Sequence, residues 1–321
     1  MKLGVMAVLF PDKPLKETLE YLSSQGVQAI ELGTGGFPGD AYLKPAELLG
    51  NKAKTDEILK LIDSYGITIS ALSCHGNPVH PNKAIAESYH KQFENNILLA
   101  EQMGVDTVNG FSGCPGDSST SQHPNWVTCP WPPEFLDVLD YQWNEVLIPY
   151  WQKMGAFAKE HGVNKIAFEM HPGFCVYNPE TLLRLREAVG DVIGANFDPS
   201  HLFWQGIDPV VAIRELKGAI YHFHAKDTRI DRRNCDVNGV LDTKHYSKIA
   251  ERAWVFRSVG YGHDYQVWKD MISMLRTIGY DGAVSIEHED SLMSPTEGLE
   301  KAIAFLKNVL AFEDAGEMWW A

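Results

Sequence analysis

The chain has 321 residues, 45% hydrophobic and 22% charged, with a net charge of −14. This is enough apolar content for one large core, and the acidic balance, with no local basic patch to override it, argues against nucleic acid as a partner. Cys74, Cys114, Cys129, Cys175 and Cys235 are odd in number and lack CxxC spacing, which speaks against a disulfide framework or zinc ribbon and for a reducing, cytoplasmic setting.

The opening stretch Leu3–Phe10 reads as a first strand. It is too short to span a bilayer and leads to no small-residue cleavage site, and no later run reaches membrane-helix length, so a soluble protein with no membrane partner is expected. Leu15, Leu19 and Leu22 then fall at i, i+4 and i+7, one face of a helix. From here one punctuation recurs: an amphipathic segment, a glycine, then an apolar strand. It falls at Gly26, Gly66, Gly104, Gly162, Gly190, Gly218 and Gly279. A glycine just past a helix end can take the left-handed conformation that closes it. Seven junctions and the opening strand make eight strands, with a last helix over roughly Pro295–Leu310 after the eighth.

Asp208–Pro209 and Ser294–Pro295 are N-cap and first-turn pairs. Ile67–Leu72, Gly194–Phe197 and Ala219–Phe223 are short and mostly apolar, as strands covered on both faces are. Eight β-then-α units predict an α/β protein, a (β/α)8 TIM barrel forming a single domain over 1–321. A doubly wound sheet would want a glycine-rich phosphate loop after its first strand, and Pro11–Leu15 offers none. Two connections, 113–141 after the fourth strand and 228–262 after the seventh, exceed ordinary βα loops and read as lids on the C-terminal face. Their Trp126, Trp131, Trp254 and Tyr261 suit either stacking on sugar rings or packing the lids down. In the tail 312–321, EMWWA ends in two tryptophans, which burial against another subunit or docking onto the barrel would explain.

Chemistry gathers at the last four strand ends. KIAFEMHP ends the fifth strand at Glu169, with His171 on the same face by period-two alternation. The sixth ends at Asp198, where Pro199 stops the ladder, and His201 follows. IYHFHAKD puts His222, His224 and Lys226 on one face, and GAVSIEHED does the same for Glu287 and Glu289. Carboxylates converging there would repel one another, a conflict that a divalent cation resolves. Two Glu, one Asp and one His are a hard, oxygen-rich set that suits Mn²⁺, with Mg²⁺ or Co²⁺ as alternatives.

These motifs, FEMHP, NFDPSHL, HFHAKD and SIEH, resemble the xylose-isomerase-like barrel superfamily of sugar (phosphate) isomerases and epimerases, over essentially the whole chain. The resemblance implies Glu169, Asp198, His224 and Glu287 as metal ligands, with His222 in place of His224 left open. It implies His201 near metal and substrate, and Glu31 and His75 lining the pocket. Lys226 and Arg257 are further candidates for substrate contact, and Asp227 is a candidate partner of Lys226. The activity implied is isomerisation or epimerisation of a sugar, keto-sugar or polyol through proton abstraction next to a carbonyl and a metal-stabilised enediolate. Glu169 and Glu287 would be the catalytic pair.

His171 adds a base or acid suited to expelling a β-substituent, so a lyase of the inosose dehydratase or 3-keto-glycoside-cleaving kind is the alternative. As a partner orienting Glu169 it would be only a support. An endonuclease-IV-like repair enzyme is a remote one, because AKDTRIDRRN after His224 lacks the Asp-x-His that such a site needs. Family habit implies a homo-oligomer, with a hetero-subunit also compatible.

Overall fold

The computed structural model describes residues 1–314 and 316–321. Among the described residues ten strands form in chain order: β1 Lys2–Met6, β2 Ala29–Gly33, β3 Thr68–Ser73, β4 Thr107–Gly110, β5 Lys165–Glu169, β6 Ile193–Phe197, β7 Ile220–Ala225, β8 Asp227–Ile230, β9 Trp254–Arg257 and β10 Ala283–Ile286. Eight of them close a barrel in the order β1-β10-β7-β6-β5-β4-β3-β2, and every neighbouring pair is parallel. All strands therefore end on one face, where the fold gathers its polar side chains.

The helix signals act as expected. Asp208 accepts from the backbone N–H of Val210 and Val211, and Ser294 accepts from Glu297 N–H. Six of the seven junction glycines have φ between 69° and 86°. Gly190 differs, at φ 114° and ψ −176°, so it leaves its helix along an extended path instead of the left-handed cap. The first strand also stops early, at Met6, because Ala7–Leu9 form one helical turn that carries Phe10 inward. There Phe10 packs edge-on against Tyr21, ring centres 5.6 Å apart.

Both long connections are more structured than loops. The first ends in a helix over Glu134–Asp140, which continues through a wider winding at Tyr141–Leu147 into the helix Ile148–Glu160. The second contains β8 and β9, paired antiparallel from Asp227↔Arg257 to Ile230↔Trp254, and a helix over Arg232–Asn238. A stacked pair, Trp204 and Trp254 at 4.5 Å, packs this lid onto the barrel. In the tail, Trp319 and Trp320 are 87% and 68% exposed, so they do not dock onto the barrel.

Outside the barrel, Trp151 is fully buried and donates to Ser112 O at 2.8 Å. Its ring meets Phe93, Tyr150 and Phe168 edge-on. Trp151→Ala is expected to lower unfolding free energy by about 3–5 kcal/mol, read from the denaturant midpoint, through the cavity it opens and the carbonyl it leaves unpaired.

Candidate metal centre and active site

Glu169 is the last residue of β5, and Asp198 directly follows β6. His224 lies one residue from the end of β7, and Glu287 directly follows β10. One ligand atom from each of these four lies within 4.8 Å of the others. His224 Nδ1 is 3.0 Å from Glu287 Oε2 and 3.5 Å from Glu169 Oε2. Asp198 divides its work: Oδ1 accepts from Ser200 N–H at 2.8 Å and caps a short helix, while Oδ2 is buried without a hydrogen-bond partner. His224 Nδ1 is buried and unpartnered in the same sense.

Lys226, also buried, reaches into this acidic set. Its Nζ is 2.9 Å from Glu287, 3.1 Å from Asp198 and 3.2 Å from Glu289, with the Asp198 contact an ion pair without hydrogen-bond geometry. It does not pair with Asp227, whose carboxylate instead accepts from the N–H groups of Gly260, Gly262 and His263.

A polar layer beneath holds the centre in place. Glu31 is fully buried under the cavity and not on its wall. It accepts from His224 Nε2 at 2.8 Å, Asn109 Nδ2 at 2.8 Å, Ser285 Oγ at 3.0 Å, and from Ser73. His222 sits in this lower layer, bonded to Asn196 and Ser70 at 3.0 and 3.1 Å. His224, and not His222, is thus grouped with the three carboxylates.

Above the centre lies a cavity of about 380 Å³ walled by Phe37, Phe111 and Phe174, with His75, His171 and Lys226 among its polar lining. His75 Nε2 is 3.4 Å from Glu169 Oε2, and His201 Nε2 is 2.8 Å from Glu169 Oε1. His171 packs between Phe111 and His201, and its Nδ1 lies 2.6 Å from Pro172 O. A carbonyl can only accept, so Nδ1 carries the hydrogen and Nε2 keeps the lone pair. Arg257 is placed elsewhere: its Nε bonds Asp290 at 3.0 Å and ties the second lid to the segment after β10.

The titration behaviour follows from this crowding. Burial pushes Glu169 up, but Lys226, the hydrogen bond from His201 and the adjacent His224 and His75 rings outweigh it and hold it well below the usual range. Glu287 is likewise held down to about 2, burial being outweighed by Lys226 and His224. Asp198 is raised, by burial first, with the charges of Glu169 and Glu287 adding to it. Burial, with His201 adding, takes His171 down to about 3, so it is neutral at pH 7. His224 is the reverse case: burial is outweighed by Glu31 and Glu287, and it rises well above its ordinary value.

Several residues of the floor and wall were not singled out from the sequence, among them Ser73, Asn109, Phe111, Phe174 and Ser285. Ser285 lies on β10 two residues before Glu287, and period-two alternation alone would have placed it on the same face. Phe111 stacks on Phe174 at 4.3 Å across two loops, a contact that no local pattern signals.

The structure is an eight-stranded parallel barrel with three carboxylates and a histidine gathered at neighbouring strand ends. The chain belongs to the xylose isomerase-like TIM barrel family, whose pattern matches residues 19–309. It is 41% identical over 313 residues to the uncharacterized protein YfiH of Bacillus subtilis, covering 97% of this chain and 100% of that one. It is 28% identical over 166 residues to an inosose dehydratase of Geobacillus thermodenitrificans, covering 51% of this chain and 53% of that one.

Among solved structures, it superposes on a D-tagatose 3-epimerase-like protein with TM-score 0.63 at 20% identity, covering 96% and 98% of the two chains. It superposes on the IOLI protein with a binding zinc atom with TM-score 0.64 at 19% identity, covering 97% and 98%. At those identities the superpositions speak for the fold. Among the described residues, no helix is long and apolar enough to cross a membrane.

Proposed function

We propose that this protein is a divalent-metal-dependent sugar isomerase or epimerase that moves a proton on the carbon next to a carbonyl. The observation that carries the reading is the group Glu169, Asp198, His224 and Glu287, with ligand atoms within 4.8 Å of one another at the floor of an aromatic-walled cavity. The donor set fits a hard cation, Mn²⁺ first and Mg²⁺ or Co²⁺ next. Two of its buried atoms, Asp198 Oδ2 and His224 Nδ1, have no hydrogen-bond partner to lose on ligation. Bound there, the cation supplies a Lewis acid that polarises the substrate carbonyl.

The chain's own residues do the rest. Glu169, held ionised by Lys226 and its histidine partners, is the base that takes the α-proton, and Glu287, itself ionised at rest, returns one from the other side of the substrate by passing on a proton from the Lys226 ammonium 2.9 Å away. Lys226 balances the carboxylates, and His201 and His75 hold the Glu169 carboxylate from two directions. Phe37, Phe111 and Phe174 exclude water from the reacting face. Glu31 accepts from His224 Nε2 and so orients the imidazole. The substrate in this reading is a small sugar, keto-sugar or polyol.

One observation favours a second outcome of the same deprotonation. His171 lines the cavity as a neutral imidazole with its Nε2 lone pair available, placed to assist departure of a β-substituent. The partial similarity to an inosose dehydratase points the same way. Proton NMR in D₂O separates the two, using Mg²⁺-loaded enzyme and a panel of ketoses, inososes and 3-keto-glucosides. Deuterium entering an α-carbon with the skeleton intact is the expected result, and loss of water or an aglycone would make the enzyme a lyase. No exchange with any of the panel would overturn both. His171→Ala is expected to leave cation binding within about threefold, by titration calorimetry with Mn²⁺, since its Nδ1 is engaged by Pro172. Loss of binding would move His171 into the coordination set.

A further inference from the structure

We infer that the main cavity is built for a sugar whose far end is a methyl group, a deoxygenated or O-methylated terminus in place of a free hydroxymethyl. This rests on the reading of the cavity as a sugar site and narrows its substrate class. The cavity has two unlike sides, and they follow the strand order of the barrel. Its carboxylates, His171 and Lys226 come from the ends of β5, β7 and β10, which with β6 form one continuous arc. The opposite arc runs through β1, β2, β3 and β4. It lines the cavity with Met6, Val8, Phe37, Pro38 and Phe111, and Phe174 extends this wall by stacking on Phe111 at 4.3 Å. Among the described residues, the one polar side chain this arc adds to the lining is His75, whose Nε2 lies 3.4 Å from Glu169 on the polar side.

The loop that carries Phe37 offers no backbone donor in place of side chains. Gly35 N–H donates to Gly39 O at 3.0 Å, Phe37 N–H to His75 O at 2.8 Å and Gly39 N–H to Gly36 O at 3.3 Å. Gly36 N–H donates to Gln92 Oε1 at 2.8 Å, and Pro38 has no N–H. Every N–H of residues 35–39 is therefore engaged within the loop or by its neighbours. Nor is the loop free to turn one outward. Gly36 has φ 63°, and a Cβ there would fall 1.9 Å from His75 O, so its backbone lies directly on the segment after β3. Phe37, held on this fixed backbone, is nevertheless 65% exposed while walling the cavity. Its face is open, and apolar ligand atoms are what such a face takes.

A cavity of about 380 Å³ is on the scale of one small ligand. A ketose held at its carbonyl end by the polar arc therefore sets its other end against the apolar one. There a terminal hydroxyl gives up water without gaining a donor or an acceptor, whereas a methyl group loses nothing and gains contact with Val8 and the Phe37 ring. An apolar pocket rejects an added hydroxyl by up to about 10²-fold. Because Phe37 leaves the mouth open to water, a preference of about tenfold is expected here.

The test is equilibrium binding to the Mg²⁺-loaded protein by titration calorimetry. The probes are D-tagatose against 6-deoxy-D-tagatose, L-fructose against 6-deoxy-L-fructose, and 6-O-methyl-D-tagatose. In at least one configuration the methyl-ended sugar should bind about tenfold more tightly than its hydroxylated parent. A gain confined to the deoxy sugars assigns deoxygenation, a gain for the ether alone assigns O-methylation, and a gain for both assigns the methyl group from either source. Val8→Thr keeps the side chain's shape and adds one hydroxyl to the apolar arc, so it should shrink the advantage about threefold by strengthening the hydroxylated sugar. Phe37→Ala, at a side chain exposed enough for the fold to spare it, should weaken the methyl-ended sugar about fivefold and its parent less. Equal binding of parent and methyl-ended sugars by the natural protein, or an advantage unchanged in both variants, would overturn the methyl preference alone. Failure of every probe to bind would instead overturn the sugar reading beneath it.

Discussion

Glu169→Gln is expected to lower the rate of solvent deuterium exchange into the substrate α-carbon by about 10³-fold, measured by NMR at saturating Mg²⁺. The substitution keeps the side chain's volume and its hydrogen bond from His201, so the fold should persist by circular dichroism. What it removes is the negative oxygen that accepts the proton and that Lys226 and three histidines hold ionised. Glu287→Gln should cost a similar factor in net conversion while leaving deuterium exchange in place, and single-turnover experiments then divide their roles. A variant deficient in deprotonation fails to wash deuterium in, while one deficient in reprotonation still exchanges but returns the starting isomer. Retention of full exchange by Glu169→Gln would remove Glu169 from the role of base. Calorimetric titration of the same variants with Mn²⁺ separates weakened cation binding from lost proton transfer.

The barrel was legible because its signals are local. Each glycine junction is a helix end followed by a buried strand, and each Asp–Pro or Ser–Pro pair is a cap, so eight units could be counted without knowing which strands touch. Period-two alternation likewise put Glu169 with His171 and His222 with His224 and Lys226. The inner depth of those side chains was not legible. Alternation places His222 and His224 on one face but gives no height, and it is the closed barrel that drops His222 into a layer with Asn109, Asn196 and Ser70 while His224 rises beside Glu287.

Glu31, which the resemblance implies as a pocket-lining residue, lies instead in the buried layer under His224. The β8–β9 pair was hidden too. A single residue, Lys226, separates β7 from β8, so two strands of different sheets read as one run. Arg257 looked free in a long loop, whereas its partner Asp290 lies on a segment remote in sequence.

Binding of Mn²⁺ at pH 7 should release about one proton, and Glu31→Gln should abolish most of that release. The argument turns on His224. Its folded value is raised well above the ordinary one because Glu31 and Glu287 favour the imidazolium more than burial disfavours it. In the cation-free protein the ring is therefore protonated at pH 7, and its contribution to stability is full below the unfolded histidine value near 6.5 and is lost as pH rises through the folded value. Ligation needs the Nδ1 lone pair, so the proton must leave, and apparent affinity should rise by up to about tenfold per pH unit until the folded value is passed.

Calorimetry in buffers of different ionisation enthalpy reads the proton count as the slope of observed enthalpy against buffer enthalpy. Glu31→Gln removes the nearest negative charge, 2.8 Å from Nε2, while an amide oxygen can still accept from the ring. His224 then falls toward its ordinary value, the slope drops, and the pH dependence flattens. A natural protein that binds Mn²⁺ with no proton release would show that His224 is not the nitrogen ligand. Release undiminished in Glu31→Gln would show that Glu287, and not Glu31, sets the charge on that ring.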